Sequence, residues 1–71
     1  MSDEGLHNTI KVLRAMRNLT QADLAALAGV TRKSVNGIET GRMVPSVILA
    51  LKLARALGVT VDTIFTLDNG S

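Results

Sequence analysis

The stretch Thr20-Gln-Ala-Asp-Leu-Ala-Ala-Leu-Ala-Gly-Val-Thr-Arg-Lys-Ser-Val-Asn-Gly-Ile-Glu39 decides the fold. It reads as two short helices joined by a tight turn. Thr20 is suited to cap the first helix, with Asp23 at the position of a capping-box acid. Ala22, Leu24, Ala25 and Ala28 supply a small, apolar helix side. Gly29 stops the helix, because the residue after a helix end often needs positive φ. Val30 plugs the turn, and Thr31 caps the second helix. In that helix Val35 and Ile38 point inward, with Glu39 near them. Lys33, Gly37 and Thr40 point outward, flanked by Arg32 and Asn36. A short helix with a basic, polar outer face, held by a tight turn against a second helix, has the shape needed to enter a DNA major groove.

The stretch resembles the helix-turn-helix of the lambda-repressor and Cro-like family, the XRE-type regulators. The residues that carry the resemblance are Leu19-Thr20-Gln21, Leu24-Ala25, Ala28-Gly29-Val30-Thr31, Ile38-Glu39, Gly41, Pro45-Ser46 and Leu57-Gly58-Val59. Together they run from about Ile10 to Phe65. The resemblance implies an all-α, five-helix lambda-repressor-like domain and a small homodimeric transcriptional regulator, a repressor acting by operator occupancy.

The remaining elements follow from local signals. Leu6, Ile10 and Leu13 repeat at four and three, which predicts a first helix over Leu6–Arg17, ended by Asn18. The second and third helices are expected over Gln21–Ala28 and Arg32–Thr40, with Gly41 as a stop. Pro45 marks a connector, and Ser46 caps a fourth helix over Val47–Leu57, which Gly58 ends. Thr60 is expected to cap a last short helix, Val61–Phe65, with Asp62 at its positive end. No strand-like alternation is visible. The expected organisation is a flexible N-terminus (1–5), the domain (6–67) and a flexible tail (68–71).

Composition narrows the function. The 71 residues make one domain with a modest core. There are no cysteines and one histidine, His7, so neither a disulfide nor a thiolate metal site is available. No nucleophile–base–acid set and no phosphate-cradling glycine loop can be assembled, so neither an enzyme nor a cofactor is expected. No small-molecule effector is evident either. Phe65 is the sole aromatic, which argues against base-stacking modes of single-strand binding. The N-terminus is acidic and unlike a signal peptide, and no apolar run can span a bilayer, so a cytoplasmic protein without a membrane partner is expected. Net charge is only +2, yet all eight Lys and Arg lie between Lys11 and Arg55, against Asp23 and Glu39 alone. A basic middle suits a polyanion, here double-stranded DNA.

Individual residues can then be assigned roles. Arg14 and Glu39 match family positions that form an ion pair between the first and third helices, and arginine's planar fork fits a carboxylate. Gln21 opens the second helix, where its N–H and amide can reach a phosphate, as the family uses it. Arg32, Lys33 and Asn36 are candidate base readers, since arginine and lysine suit guanine and asparagine suits adenine. Thr31 and Ser34 are placed to hold phosphate, and Arg42 and Arg17 can do the same. The plain alternative for each is a solvated side chain. Gly37 departs from the family, which often carries a longer, base-touching side chain there. Ile48 departs too, being apolar where a polar residue is frequent. In the fourth helix Val47, Ala50, Leu51, Ala54 and Leu57 already form a core stripe, so Ile48, Leu49 and Leu53, together with Phe65, are assigned to a homodimer face. Taken by itself, Phe65 reads first as a core plug that ties the last helix down. A dimer implies an inverted-repeat operator. The competing class is a protein-interaction module, such as an antitoxin-like partner, that keeps the fold without binding DNA.

Overall fold

The caps found in the sequence set the helix boundaries in space. In the computed structural model, which describes residues 5–68, the order is β1 (Gly5–Asn8), α1 (Ile10–Met16), α2 (Gln21–Ala28), α3 (Arg32–Glu39), α4 (Val47–Leu57), α5 (Val61–Ile64) and β2 (Phe65–Asp68). Helix α2 opens with a complete capping box. The Thr20 hydroxyl accepts from the Asp23 N–H at 3.0 Å, and the Asp23 carboxylate accepts from the Thr20 N–H at 3.0 Å. It closes on Gly29 in the left-handed region, φ 73°. Helices α3 and α4 begin with the one-sided cap alone: the Thr31 hydroxyl accepts from the Ser34 N–H and the Ser46 hydroxyl from the Leu49 N–H. Asn18 is left-handed, φ 55°, beyond the end of α1.

Two expectations at the chain ends change. The first helix does not begin at Leu6. Residues Gly5–Asn8 are a strand, paired antiparallel with β2 in the register Leu6 to Leu67 and Asn8 to Phe65. The five helices are therefore joined by a two-stranded ribbon. Leu6 still packs on the core, and Ile10 and Leu13 are buried, so the apolar spacing was real but spans a strand–helix junction. At α5, the Thr60 side chain makes no bond to a backbone N–H. Its hydroxyl bonds Asp62 and Thr63 instead. The ends expected to be flexible fall outside the described residues except Gly5 and Asp68, which are strand residues.

All five helices and the start of β2 contribute to the core. Ile10, Leu24, Val35, Leu53 and Ile64 are fully enclosed, and Ala25, Ala28, Ala50 and Ala54 let the helix backbones approach. In α4 the inward stripe is Ala50, Leu53, Ala54 and Leu57, while Val47 and Leu51 face solvent at 76% and 55% exposure. This corrects the expected stripe. Leu53 and Phe65, assigned to a homodimer face, lie in the interior of a single chain and offer no surface to a second copy. Phe65 is the core plug. Leu49 is half-buried against the core, and Ile48 is exposed. Ala22, expected on the apolar side of α2, is exposed. Among the described residues no helix is long and apolar enough to cross a membrane, and no group of three or more His, Cys, Asp or Glu could hold a metal ion.

Candidate nucleic-acid interface

The turn between α2 and α3 is built from backbone bonds that the sequence makes possible. Gly29 turns the chain, and the Val30 N–H then reaches back to the Ala25 carbonyl at 3.0 Å. Val30 packs on the core edge. Helix α3 starts two residues later, at Arg32 after the Thr31 cap, with Val35 and Ile38 buried on its inner side.

The outer side of α3 carries the candidate readers. Arg32 and Lys33 are both exposed on its first turn. The Thr31 hydroxyl donates to the Ser34 hydroxyl at 2.9 Å while accepting from the Ser34 N–H, so the two form one hydroxyl pair at the helix start. That leaves the Ser34 O–H free to donate outward. Asn36 is half-buried, and its Nδ2 donates to Gln21 Oε1 at 3.3 Å. The structure thus couples two residues that the sequence treated separately, one a base reader and one a phosphate holder.

Behind this face stands Arg14. Its Nε donates to Glu39 Oε2 at 3.0 Å and its Nη2 to Glu39 Oε1 at 2.7 Å, a bidentate pair between α1 and α3. Its Nη1 donates to the Leu19 carbonyl at 2.9 Å. The two side chains are 15% and 9% exposed, so the pair is partly withdrawn from water. The Glu39 hydrogen bond, helped by the attraction between opposite charges, raises the arginine's pKa above its ordinary value. One side chain therefore fixes α3 on α1 and fixes the approach to α2. Arg14, Leu19, Thr20, Gln21, Ala22 and Arg32 line an open hollow of about 470 Å³ at the N-terminal end of α2. Helix N-termini carry unpaired N–H groups and positive potential, so this hollow suits an anionic oxygen. The Asp23 carboxylate beside it is held below its usual pKa by the Thr20 N–H and then by the Thr20 hydroxyl.

Arg42 and Arg17 are exposed at the edges of this face, Arg42 in the loop beyond α3 and Arg17 at the end of α1, where its Nη1 donates to the Leu13 carbonyl at 3.4 Å. The loop folds back on α3, because the Arg42 and Met43 N–H groups both donate to the Gly37 carbonyl, at 2.9 and 3.0 Å. That contact explains Gly37 and corrects its outward assignment. A Cβ at position 37 would stand 3.2 Å from the Met43 Cβ, so glycine here lets the loop close onto the helix. The residue that sequence reasoning missed is Asn8, whose Nδ2 donates to the Ile38 carbonyl at 3.1 Å from β1. No local pattern marks it, since its partner lies 30 residues away.

Two capped helices around a glycine turn, the second exposing a basic face and braced from behind, define a helix-turn-helix domain. The chain belongs to the helix-turn-helix family HTH_3, whose profile matches residues 10–64. This bears out the resemblance to XRE-type transcriptional regulators. The chain is 42% identical over 64 residues to an HTH-type transcriptional regulator of Methanocaldococcus jannaschii, spanning 90% of this chain and 97% of that protein. It is 40% identical over 63 residues to another from Bacillus subtilis, spanning 89% and 96%. Among solved structures, the restriction-modification controller protein C.AhdI of Aeromonas hydrophila is similar with a TM-score of 0.73 at 37% identity, over 76% of this chain and 82% of that one.

Proposed function

We propose that the chain binds double-stranded DNA sequence-specifically as a small homodimeric regulator and represses by occupying an inverted-repeat operator. The observation that carries this reading is the exposed first turn of α3, with Arg32 and Lys33 on a helix locked by the Arg14–Glu39 pair. Arg32 and Lys33 read base edges. Gln21 meets a phosphate at the start of α2, steadied by Asn36, whose carbonyl and second N–H stay available to the groove. Thr31, Ser34, Arg42 and Arg17 hold the flanking backbone. The second copy docks on the exposed stripe Val44, Val47, Ile48 and Leu51, which takes the place of the Leu53 and Phe65 contacts first assigned. In a dimer the two copies of α3 would stand about 34–36 Å apart, one turn of DNA.

The same stripe favours the second reading, a protein-interaction module whose α4 face binds an unlike chain. Duplex selection from a random pool, followed by a salt series, separates the two. DNA binding predicts an enriched inverted repeat and a log–log salt slope of about −0.9 per phosphate neutralised. Absence of any duplex retention at low salt leaves the interaction module.

A further inference from the structure

Helix α3 is held at its two ends in unlike ways. Its first turn is capped locally, by Thr31, and lies open to solvent. Its last turn is pinned at two successive residues from outside the helix-turn-helix. Arg14 on α1 grips the Glu39 carboxylate, and Asn8 on β1 donates to the Ile38 carbonyl. Asn8 also accepts from the Ile10 N–H through Oδ1 at 3.2 Å, and its backbone pairs with Phe65 in the ribbon. Its neighbour Thr9 is fastened to α5, with its N–H on the Ile64 carbonyl and its hydroxyl on the Thr63 carbonyl, both at 3.0 Å. One amide side chain thus connects β1, the start of α1 and the far end of α3.

Helix α3 rests on the core through Val35 and Ile38, and the ties at its last turn set the angle at which its first turn projects. From Ile38 back to the Arg32–Lys33 turn is about 8 Å of helix, so a tilt of about 10° there moves that turn by about 1.5 Å. Base-edge hydrogen bonds demand placement far finer than that, whereas long cationic side chains still find a phosphate. Losing the Asn8 bond also leaves no orphan, because the Ile38 carbonyl keeps the Gly41 N–H at 3.1 Å. Aim and stability are therefore separable at this residue. Resting on the DNA-reading function above, we propose that Asn8 is a positioning residue for base recognition, acting through α3 without touching DNA.

The test uses Asn8→Asp and Asn8→Ser. Aspartate keeps the shape and the acceptor for the Ile10 N–H but loses the donor. Serine keeps a local acceptor and cannot reach Ile38. Val59→Ala, which thins the core at the turn between α4 and α5, away from β1 and α3, serves as the control for loss of stability alone. Affinities for the wild-type-selected duplex and a scrambled duplex are compared where every variant is folded by circular dichroism, together with amide exchange across α3. The expected result is a fall in the selected-to-scrambled ratio by about three- to tenfold in both Asn8 variants, the factor that one ordinary hydrogen bond sets. The salt slope should not change, exchange should quicken at Thr40 and Gly41, and Val59→Ala should keep the wild-type ratio. The ratio cancels the extra charge of aspartate. An unchanged ratio in both variants overturns the role of Asn8, as does unfolding of both, which would make it a residue of the fold alone. A wild type that prefers no duplex overturns the DNA reading itself.

Discussion

Helices α3 and α4 are built on opposite plans on their solvent sides. Each buries one stripe in the same core, Val35 and Ile38 in α3 and Ala50, Leu53, Ala54 and Leu57 in α4. On the outside α3 shows Arg32 and Lys33, whereas α4 shows Val47, Ile48 and Leu51, continued by Val44 ahead of it. A basic face is at home in water and gains most when it meets an anion. An apolar face gains nothing from water and is stabilised by any surface that covers it, at about 25 cal/mol for each Å² removed. The two faces therefore suit partners of different chemistry, and α3 and α4 can be tested apart.

The largest expected effect removes the brace behind α3. Arg14→Ala leaves the largely buried Glu39 carboxylate without its partner, and loss of one member of a buried pair costs about 3–5 kcal/mol. Urea denaturation of Arg14→Ala, Glu39→Ala and the double variant measures this. Near-neutral, additive singles would show that the pair contributes nothing. Next comes the interior of α4 against its exterior. Leu53→Ala should destabilise the fold by about 2–5 kcal/mol, and Ile48→Lys, measured at concentrations where both proteins are monomeric, should leave stability within about 0.5 kcal/mol. Ile48→Lys should instead shift sedimentation toward monomer and weaken operator binding. Equal denaturation curves for the two variants would erase the distinction between the faces.

The outer face of α3 comes third. Lys33→Ala should cost about 1–3 kcal/mol on the operator and relax preference at one base pair, while Arg42→Ala should weaken all duplexes alike and reduce the salt slope by about one. If Lys33→Ala lowers operator and scrambled affinities equally, α3 reads no base there, and sequence preference rests on Arg32, Asn36 or DNA shape. The smallest effect is at Gly37. Alanine normally gains about 1 kcal/mol over glycine inside a helix. Here the new Cβ would press on Met43, whose N–H is bonded to the Gly37 carbonyl, so the gain should be cancelled to within about 0.5 kcal/mol. A full gain in a denaturation experiment would show that the loop yields freely.

What could be read in advance follows the range of the signal. The capped starts of α2, α3 and α4 and the stops at Gly29 and Gly58 were legible because each cap and each stop is decided within three or four residues. The Arg14–Glu39 pair was legible only through the family resemblance. The ribbon was not legible, since four residues at each end carry too little pattern and their register is set by a partner strand some 60 positions away. In α4 the apolar residues run most of the way round, so periodicity could not choose between the Leu51 and Leu53 sides. Packing chose the side where Ala50 and Ala54 let the helix approach its neighbours. Asn8 escaped for the same reason as the ribbon.

The pairing of residues 5–8 with residues 65–68 also fixes an order in time. Closing a long loop costs more chain entropy than closing a short one, and strands this far apart cannot meet until both have been made. During synthesis the helix caps and the α2–α3 turn have all their residues well before Phe65 leaves the ribosome. Asn8, at the inner end of the ribbon, gains its strand partner only at that last step. A nascent chain can thus be helical early and still lack the strand that seats Asn8 against α3, so the competence to discriminate one duplex from another would mature later than the fold that carries it.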